Sequence, residues 1–302
     1  MKNTISLLPS ITEEVFGISP YDIQTKGWEI TKLDVDKQWV KSMGDGVTVA
    51  VIDTGCDYNH PDIKDNIIGG YNSIKKNDNF MDDNGHGSHV CGTICSPDNG
   101  MGMVGVAPKA KILAIKALSA SGAGSPNHIV NGIKYAIESK VDIITMSLGS
   151  EGDIPNIKSA LQEASAANIL VFCAAGNSGP SKNIMYPARD PNAISIGAID
   201  ENFDRTNFTC SGDSLDFLSP GHNILSILPG NRYGLMSGTS MSNPFAVGCA
   251  ALYLSYHRQQ YGIKYLSQKD MIEILQKNAI DLVNPAFRSK KYQGYGIIRP
   301  IL

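Results

Sequence analysis

Apolar residues gather along the chain in short, nearly continuous blocks. Val47–Asp53 (VTVAVID), Ala110–Leu118 (AKILAIKAL), Asp142–Leu148 (DIITMSL), Ile169–Ala175 (ILVFCAA) and Ala193–Ile199 (AISIGAI) are rich in β-branched residues. Runs of this length and composition predict strands covered on both faces. Between them the period changes. Asn127–Lys140 carries Ile129, Ile133, Ala136 and Ile137 on one stripe, which predicts an amphipathic helix. Ile154–Ala167 predicts another, with Asp153 as its expected N-cap and Pro155 in its first turn. From Ser240 to about Tyr256 the chain is small or apolar on nearly every side, so this helix is expected to run through the core, with Pro244 in its first turns. A last helix is expected around Lys269–Lys277.

Alternating strands and helices predict an α/β fold, a mostly parallel central sheet with helices on both faces. Residues 1–26 precede the first strong core element and read as an N-terminal extension. Residues 27–302 read as one domain. Asn72–Asn84, rich in Asn, Asp and Lys, reads as a surface loop leading to His86.

Composition narrows the function classes. The 302 residues suffice for a sizeable core, and 42% hydrophobic with 18% charged residues is an ordinary globular balance. The net charge is −3 and Lys/Arg cluster no further than pairs such as Lys75-Lys76, so no nucleic-acid partner is expected. No apolar run approaches the roughly 18–20 residues of a membrane span, so no membrane partner is expected. Met1–Phe16 is interrupted by Ser, Thr, Pro and Glu and lacks the apolar stretch of a secretory signal, so a cytoplasmic location is expected. The six cysteines are then expected as reduced, buried thiols.

Candidate chemistry lies at the ends of the predicted elements. Asp53 ends a buried strand, where open α/β sheets place their sites. His86 stands in Gly85-His86-Gly87-Ser88-His89 and opens a helix. Ser240, in Ser237-Gly238-Thr239-Ser240-Met241, begins the buried helix, where its own N–H points out of the helix end. Asn177, in Ala174-Ala175-Gly176-Asn177, follows another strand end and offers a side-chain amide. Each motif alone is as easily structural. Together they supply what peptide hydrolysis by serine requires: a nucleophile, a base, a carboxylate to orient the base, and donors for an oxyanion.

In the order Asp, His, Asn, Ser, these motifs resemble those of the subtilisin family, from about Val47 to Pro300. Asp53-Thr54-Gly55-Cys56-Asp57, Ile67-Ile68-Gly69-Gly70 and Val141-Asp142-Ile143-Ile144 are similar to its intracellular branch. The resemblance implies a serine endopeptidase of broad specificity acting on polypeptides in protein turnover. It implies Asp53, His86 and Ser240 as catalytic residues and Asn177 as oxyanion donor. Gly122-Ala123-Gly124 and Ser147-Leu148-Gly149 would pair with substrate backbone, and Ala174, Ala175 and Gly176 would line a roomy S1 pocket suited to large apolar or aromatic residues. Asp62, Asn99 and the carbonyls of Pro97, Met101 and Met103 would bind a structural Ca2+. Leu7-Leu8-Pro9-Ser10 stands where the branch has a segment that masks the site until it is cut away, with Ser10 in place of an aromatic residue. A homodimer is a further implication. The chain departs from the family at Ser178, where an acid is common, and at Ser242-Asn243-Pro244-Phe245. A catalytically silent relative and a narrow precursor-processing enzyme are the competing readings.

Overall fold

The computed structural model describes residues 4–15 and 23–302. Strands β1 (Ile5–Leu7) and β2 (Ile11–Val15) open the chain. Short helices α1 (Trp28–Lys32) and α2 (Val35–Gln38) lead to β3 (Thr48–Asp53), β4 (Ile67–Asn72), α3 (His86–Cys95) and β5 (Lys111–Lys116). Then follow β6 (Ala123–Gly124), α4 (Pro126–Glu138), β7 (Ile143–Met146), β8 (Leu148–Gly149), α5 (Pro155–Ala166) and β9 (Leu170–Ala174). The remainder comprises β10 (Ile194–Ile199), β11 (Phe217–Pro220), β12 (Ile224–Leu228), β13 (Arg232–Ser237), α6 (Thr239–Tyr261), α7 (Gln268–Lys277) and α8 (Lys290–Gln293).

Seven strands form the central sheet in the order β11-β10-β9-β7-β3-β5-β4, and each neighbouring pair is parallel. The pleat of β3 shows why its sequence is apolar throughout. Val49 and Val51 join Val90 and Ile94 of α3 and Phe245 and Val247 of α6 on one face. Ala50 and Ile52 join Ile129 and Ile133 of α4 and Ile157 and Leu161 of α5 on the other. Each such large side chain, fully removed from water, contributes about 1.5–3 kcal/mol. The strand order reverses at β3, so the carboxyl ends of β3 and β7 open on a crevice.

Helix α6 is buried from Thr239 to Ser255, which explains its lack of a polar stripe. One detail differs from the sequence reading and one refines it. Asp153 does not cap α5: Pro155 is the first helical residue and holds Ile154 in the extended conformation, so Ile154 is the N-cap and Asp153 accepts from Arg189 Nε at 2.9 Å. Pro244 does lie in the first turns of α6, as its sixth residue, but past the positions where a missing N–H costs no helical bond. Its missing N–H frees the Ser240 carbonyl, which accepts from Ser147 Oγ at 3.0 Å instead.

Two small antiparallel sheets flank the crevice, and each contains a strand of the N-terminal extension. β1 lies between β6 and β8, and β2 adds to the edge of the β12–β13 hairpin. Residues 1–3 and 16–22 of that extension lie outside the described residues. No helix among the described residues is long and apolar enough to cross a membrane.

Candidate active site

Asp53 and His86 meet where β3 ends and α3 begins. His86 Nδ1 donates to Asp53 Oδ1 at 2.8 Å, and both side chains are buried. The same carboxylate oxygen accepts the Thr54 N–H at 2.7 Å. Asp53 Oδ2 and His86 Nε2 are buried without a hydrogen-bond partner among the described residues. The imidazole is therefore fixed at one nitrogen and unengaged at the other.

The loop before His86 is held from beneath. Asp82 Oδ1 accepts from Thr54 Oγ1 at 2.8 Å and from the N–H groups of Asn84 and Gly85, each at 3.0 Å. Asp82 Oδ2 accepts from Ser88 N and Ser88 Oγ. Burial alone would push the Asp82 carboxyl up, but these bonds outweigh it and hold the group below its ordinary value. Lys116 Nζ donates to Thr54 O at 2.7 Å and to Asp83 Oδ1 at 2.5 Å, tying loop and strand end together. His89 Nε2 donates to the carbonyls of Ile224 and Gly234, at 3.0 and 3.2 Å. Burial pushes its pKa down to about 3, so it is a neutral tie between α3 and the β12–β13 hairpin, not a second base.

Ser240 is the second residue of α6 and is fully buried, with Oγ turned to Ser147 O at 3.4 Å. Asn177 is oriented by Thr239, whose N–H and Oγ1 donate to its Oδ1 at 2.9 and 2.8 Å. The Asn177 amide is thereby aimed at the cleft, where Nδ2 donates to Pro9 O at 2.7 Å. A methyl group built on Gly238 would lie 2.9 Å from Asn177 Nδ2 and 3.7 Å from Ser240 N, so both donors border one spot.

The two segments read as substrate-binding bracket the extension. Ile5 pairs with Gly124, Ser6 with both Ala123 and Gly149, and Leu7 with Leu148, while Leu7 N donates to Gly122 O at 2.8 Å. Leu8 is buried against Gly149. Ala174 and Ala175 are fully buried, and Gly176, at φ +118°, turns the chain toward Asn177. All six cysteines are free and buried. Burial pushes the Cys91, Cys95, Cys173 and Cys249 thiols up, which suppresses the thiolate a cysteine nucleophile needs.

A cluster of oxygens lies away from the crevice. Gln24 Nε2 donates to Pro97 O at 2.7 Å, to Met103 O at 3.1 Å and to Asn99 Oδ1 at 3.4 Å. Asp62 closes the cluster, accepting from Asn99 Nδ2 and Met103 N. Met101 lies in the same turn, bridged to Ile23. The Pro97 and Met103 carbonyls and the Asn99 amide oxygen converge on Gln24 Nε2, with the buried Asp62 carboxylate beside them, an oxygen set that would suit a hard divalent cation if the Gln24 amide turned its oxygen inward. Burial pushes the Asp62 pKa up to about 6, a cost such a cation would offset. Gln24 was not foreseen from sequence, because nothing local marks a glutamine that reaches the loop at Pro97–Met103. Asp82, Lys116 and Thr239 were missed for the same reason.

A parallel-sheet α/β fold with this constellation at the carboxyl edge of its strands defines the class: a serine endopeptidase. The family model of the subtilases matches residues 44–296, and the chain belongs to the subtilase family. It is 43% identical over 270 residues to an intracellular serine protease of Paenibacillus polymyxa, covering 86% of this chain and 81% of that one. It is 39% identical over 292 residues to the major intracellular serine protease of Bacillus subtilis (strain 168), covering 93% and 90%. With subtilisin E of Bacillus subtilis (strain 168) it shares 42% over 218 residues, 71% of this chain and 57% of the relative.

Proposed function

We propose that this chain is an intracellular endopeptidase of broad specificity, working in the turnover of cytoplasmic polypeptides, whose own N-terminal segment masks the cleft until it is removed. The observation that carries the reading is a peptide already lying in the cleft. Residues 5–7 pair as a strand on both flanking segments, and the Pro9 carbonyl rests on the Asn177 amide at 2.7 Å. Pairing through main chain suits many sequences.

In the proposed mechanism Ser240 Oγ rotates from Ser147 O toward His86 Nε2, loses its proton there and attacks the substrate carbonyl. Asp53 holds the imidazole tautomer through Nδ1 and stabilises the imidazolium. Asn177 Nδ2 and the Ser240 N–H receive the oxyanion. His86 then protonates the leaving amine, and water resolves the acyl-enzyme.

The masking segment is out of phase for this reaction. Leu8 fills the space beside Gly149, yet the carbonyl at Asn177 belongs to Pro9, one residue further on. In a cleavable substrate, one residue would supply both the buried side chain and the bound carbonyl. The mismatch supports a segment that occupies the site and resists cutting. We propose residues 1–26 as the N-terminal extension, removed up to about residue 18, and residues 27–302 as the catalytic domain, with Ca2+ held by Asp62, Asn99, Pro97, Met101 and Met103 together with Gln24 of the remaining extension. A homodimer is carried as part of the same proposal. Deleting residues 1–18 is expected to abolish any lag in casein hydrolysis and raise the initial rate. An unchanged initial rate would sink the masking proposal.

A further inference from the structure

We infer that Asp82 is a positioning residue for the Asp53–His86 pair, and that its carboxylate places a second negative charge behind the imidazolium formed in the reaction. The inference rests on the peptidase reading and deepens it. Asp82 belongs to the loop before His86 and acts through its neighbours.

Asp82 grips both partners of the pair. On the Asp53 side, Oδ1 accepts from Thr54 Oγ1 at 2.8 Å, and Thr54 N donates in turn to Asp53 Oδ1 at 2.7 Å. On the His86 side, Oδ1 accepts from the N–H groups of Asn84 and Gly85, and Oδ2 accepts from Ser88 N and Ser88 Oγ at 2.9 and 2.7 Å. His86 stands between these donors in the chain, and its own N–H donates to Asn84 Oδ1 at 3.1 Å. Thr54 Oγ1 closes the ring by accepting from Gly87 N at 2.9 Å. One carboxylate therefore fastens the turn after β3 to the first turn of α3, and with them the 2.8 Å contact between Asp53 and His86.

The charge on Asp82 is kept rather than cancelled. All five donors are neutral N–H or O–H groups, and among the described residues none of its hydrogen-bond partners is a cation. Asp82 is 4% exposed, so water screens it little. Its bonds keep it ionised through the neutral range. The other charged groups around the pair are committed elsewhere. Lys116 of β5 is paired with Asp83, and the Asp57 carboxylate accepts from Asn59 N and Gly230 N. His89 of α3 is neutral. The β12–β13 hairpin brings Leu228 and Met236 to the hollow beside His86, and α6 carries no Asp, Glu, Lys or Arg before Arg258. When His86 takes the Ser240 proton, positive charge appears in a buried setting where a fixed carboxylate acts more strongly than in water.

The test measures kcat and KM against pH for the full chain, once any lag has passed, on a short uncharged peptide amide. It compares the wild type, Asp82→Asn and Thr54→Val. Asp82→Asn keeps the acceptor for Thr54, Asn84 and Gly85 but removes the charge and the bond from Ser88 N. It is expected to lower kcat about 10- to 100-fold with KM little changed. The acid limb of its profile is expected to move to lower pH, because the imidazolium loses a favourable neighbour. Where turnover is too slow to follow, inactivation by a sulfonyl fluoride, which needs the same proton transfer, reads the same limb. Thr54→Val keeps the charge and cuts the tie to the Asp53 turn, so kcat is expected to fall about tenfold while the limb stays in place. A folded Asp82→Asn whose acid limb coincides with the wild type overturns the inference, whatever its kcat. If Asp82→Asn fails to fold, a Thr54→Val form with wild-type kcat overturns it. In both cases the peptidase reading stands. A wild type that leaves unfolded casein intact overturns that reading and the role of Asp82 with it.

Discussion

Pro244 withholds the N–H that would bond the Ser240 carbonyl, and Ser147 supplies a hydroxyl in its place. One residue of the cleft wall is thereby tied to the backbone of the proposed nucleophile. Similar economy governs Asn177, whose oxygen is occupied by Thr239 so that only its amide faces the cleft. Asn177→Ala is expected to lower kcat about 10²–10³-fold with little change in KM, measured on a peptide substrate. That magnitude is known from subtilisin itself rather than calculated from this chain. Far from the cleft, Glu29 is 2% exposed with Oε2 unpartnered, and burial pushes its pKa up to about 7 from 4.5. The folded state then binds a proton the unfolded state has lost, so stability falls as pH rises from about 4.5 to 7 and stays lower above that window. Glu29→Gln is expected to remove up to about 3 kcal/mol of this dependence. Denaturant unfolding of both forms at pH 5 and pH 8 checks it; a pH-independent difference between them would contradict it. Asp53, His86, Asn177 and Ser240 were legible because each stands at the end of a regular element amid glycine and small residues. Thr239 and Gln24 were not, because the atoms they bond lie on residues distant in sequence.

Helix α3 shows how an element positions a side chain. Its first turn presses on the turn after β3 so closely that a methyl group on Gly87 would lie 2.1 Å from Gly55 O. Gly55 itself stands at φ +108°, a region glycine occupies without strain. Gly87→Ala is expected to push α3 outward, costing about 1–3 kcal/mol of stability. Because His86 is the adjacent residue, kcat should fall as well. Thermal unfolding and peptide hydrolysis together check this, and unchanged values of both would contradict it. At this scale the sequence was most readable for strands buried on both faces. VTVAVID became β3 over Thr48–Asp53, and ILVFCAA became β9 over Leu170–Ala174. It was least readable where pairing partners are remote. β6 and β8 are only two residues long and form strands with β1 between them. The β12–β13 hairpin and β4 likewise carry no local period that separates them from loop.

Over the whole molecule, the N-terminal extension completes both small sheets, and its last residues tie down the loop at Pro97–Met103 through Gln24 and Thr25. A cation at this junction would bind the folded state alone and stabilise it by mass action, about 2.7 kcal/mol at a hundred times its Kd. Chelation is therefore expected to lower the unfolding midpoint by several degrees, and added Ca2+ to restore it. The double variant Gln24→Ala, Asn99→Ala should unfold earlier and ignore the chelator. A wild-type midpoint indifferent to chelation would contradict the site.

The central claim is that Ser240 is the nucleophile of a peptidase, and its most direct test is hydrolysis of unfolded casein by the full chain with Ca2+, beside Ser240→Ala. The account predicts hydrolysis by the wild type, after a lag accompanied by N-terminal trimming, and its loss in Ser240→Ala. Equal hydrolysis by the two forms would contradict it, as would a wild type that leaves casein intact even after residues 1–18 are removed.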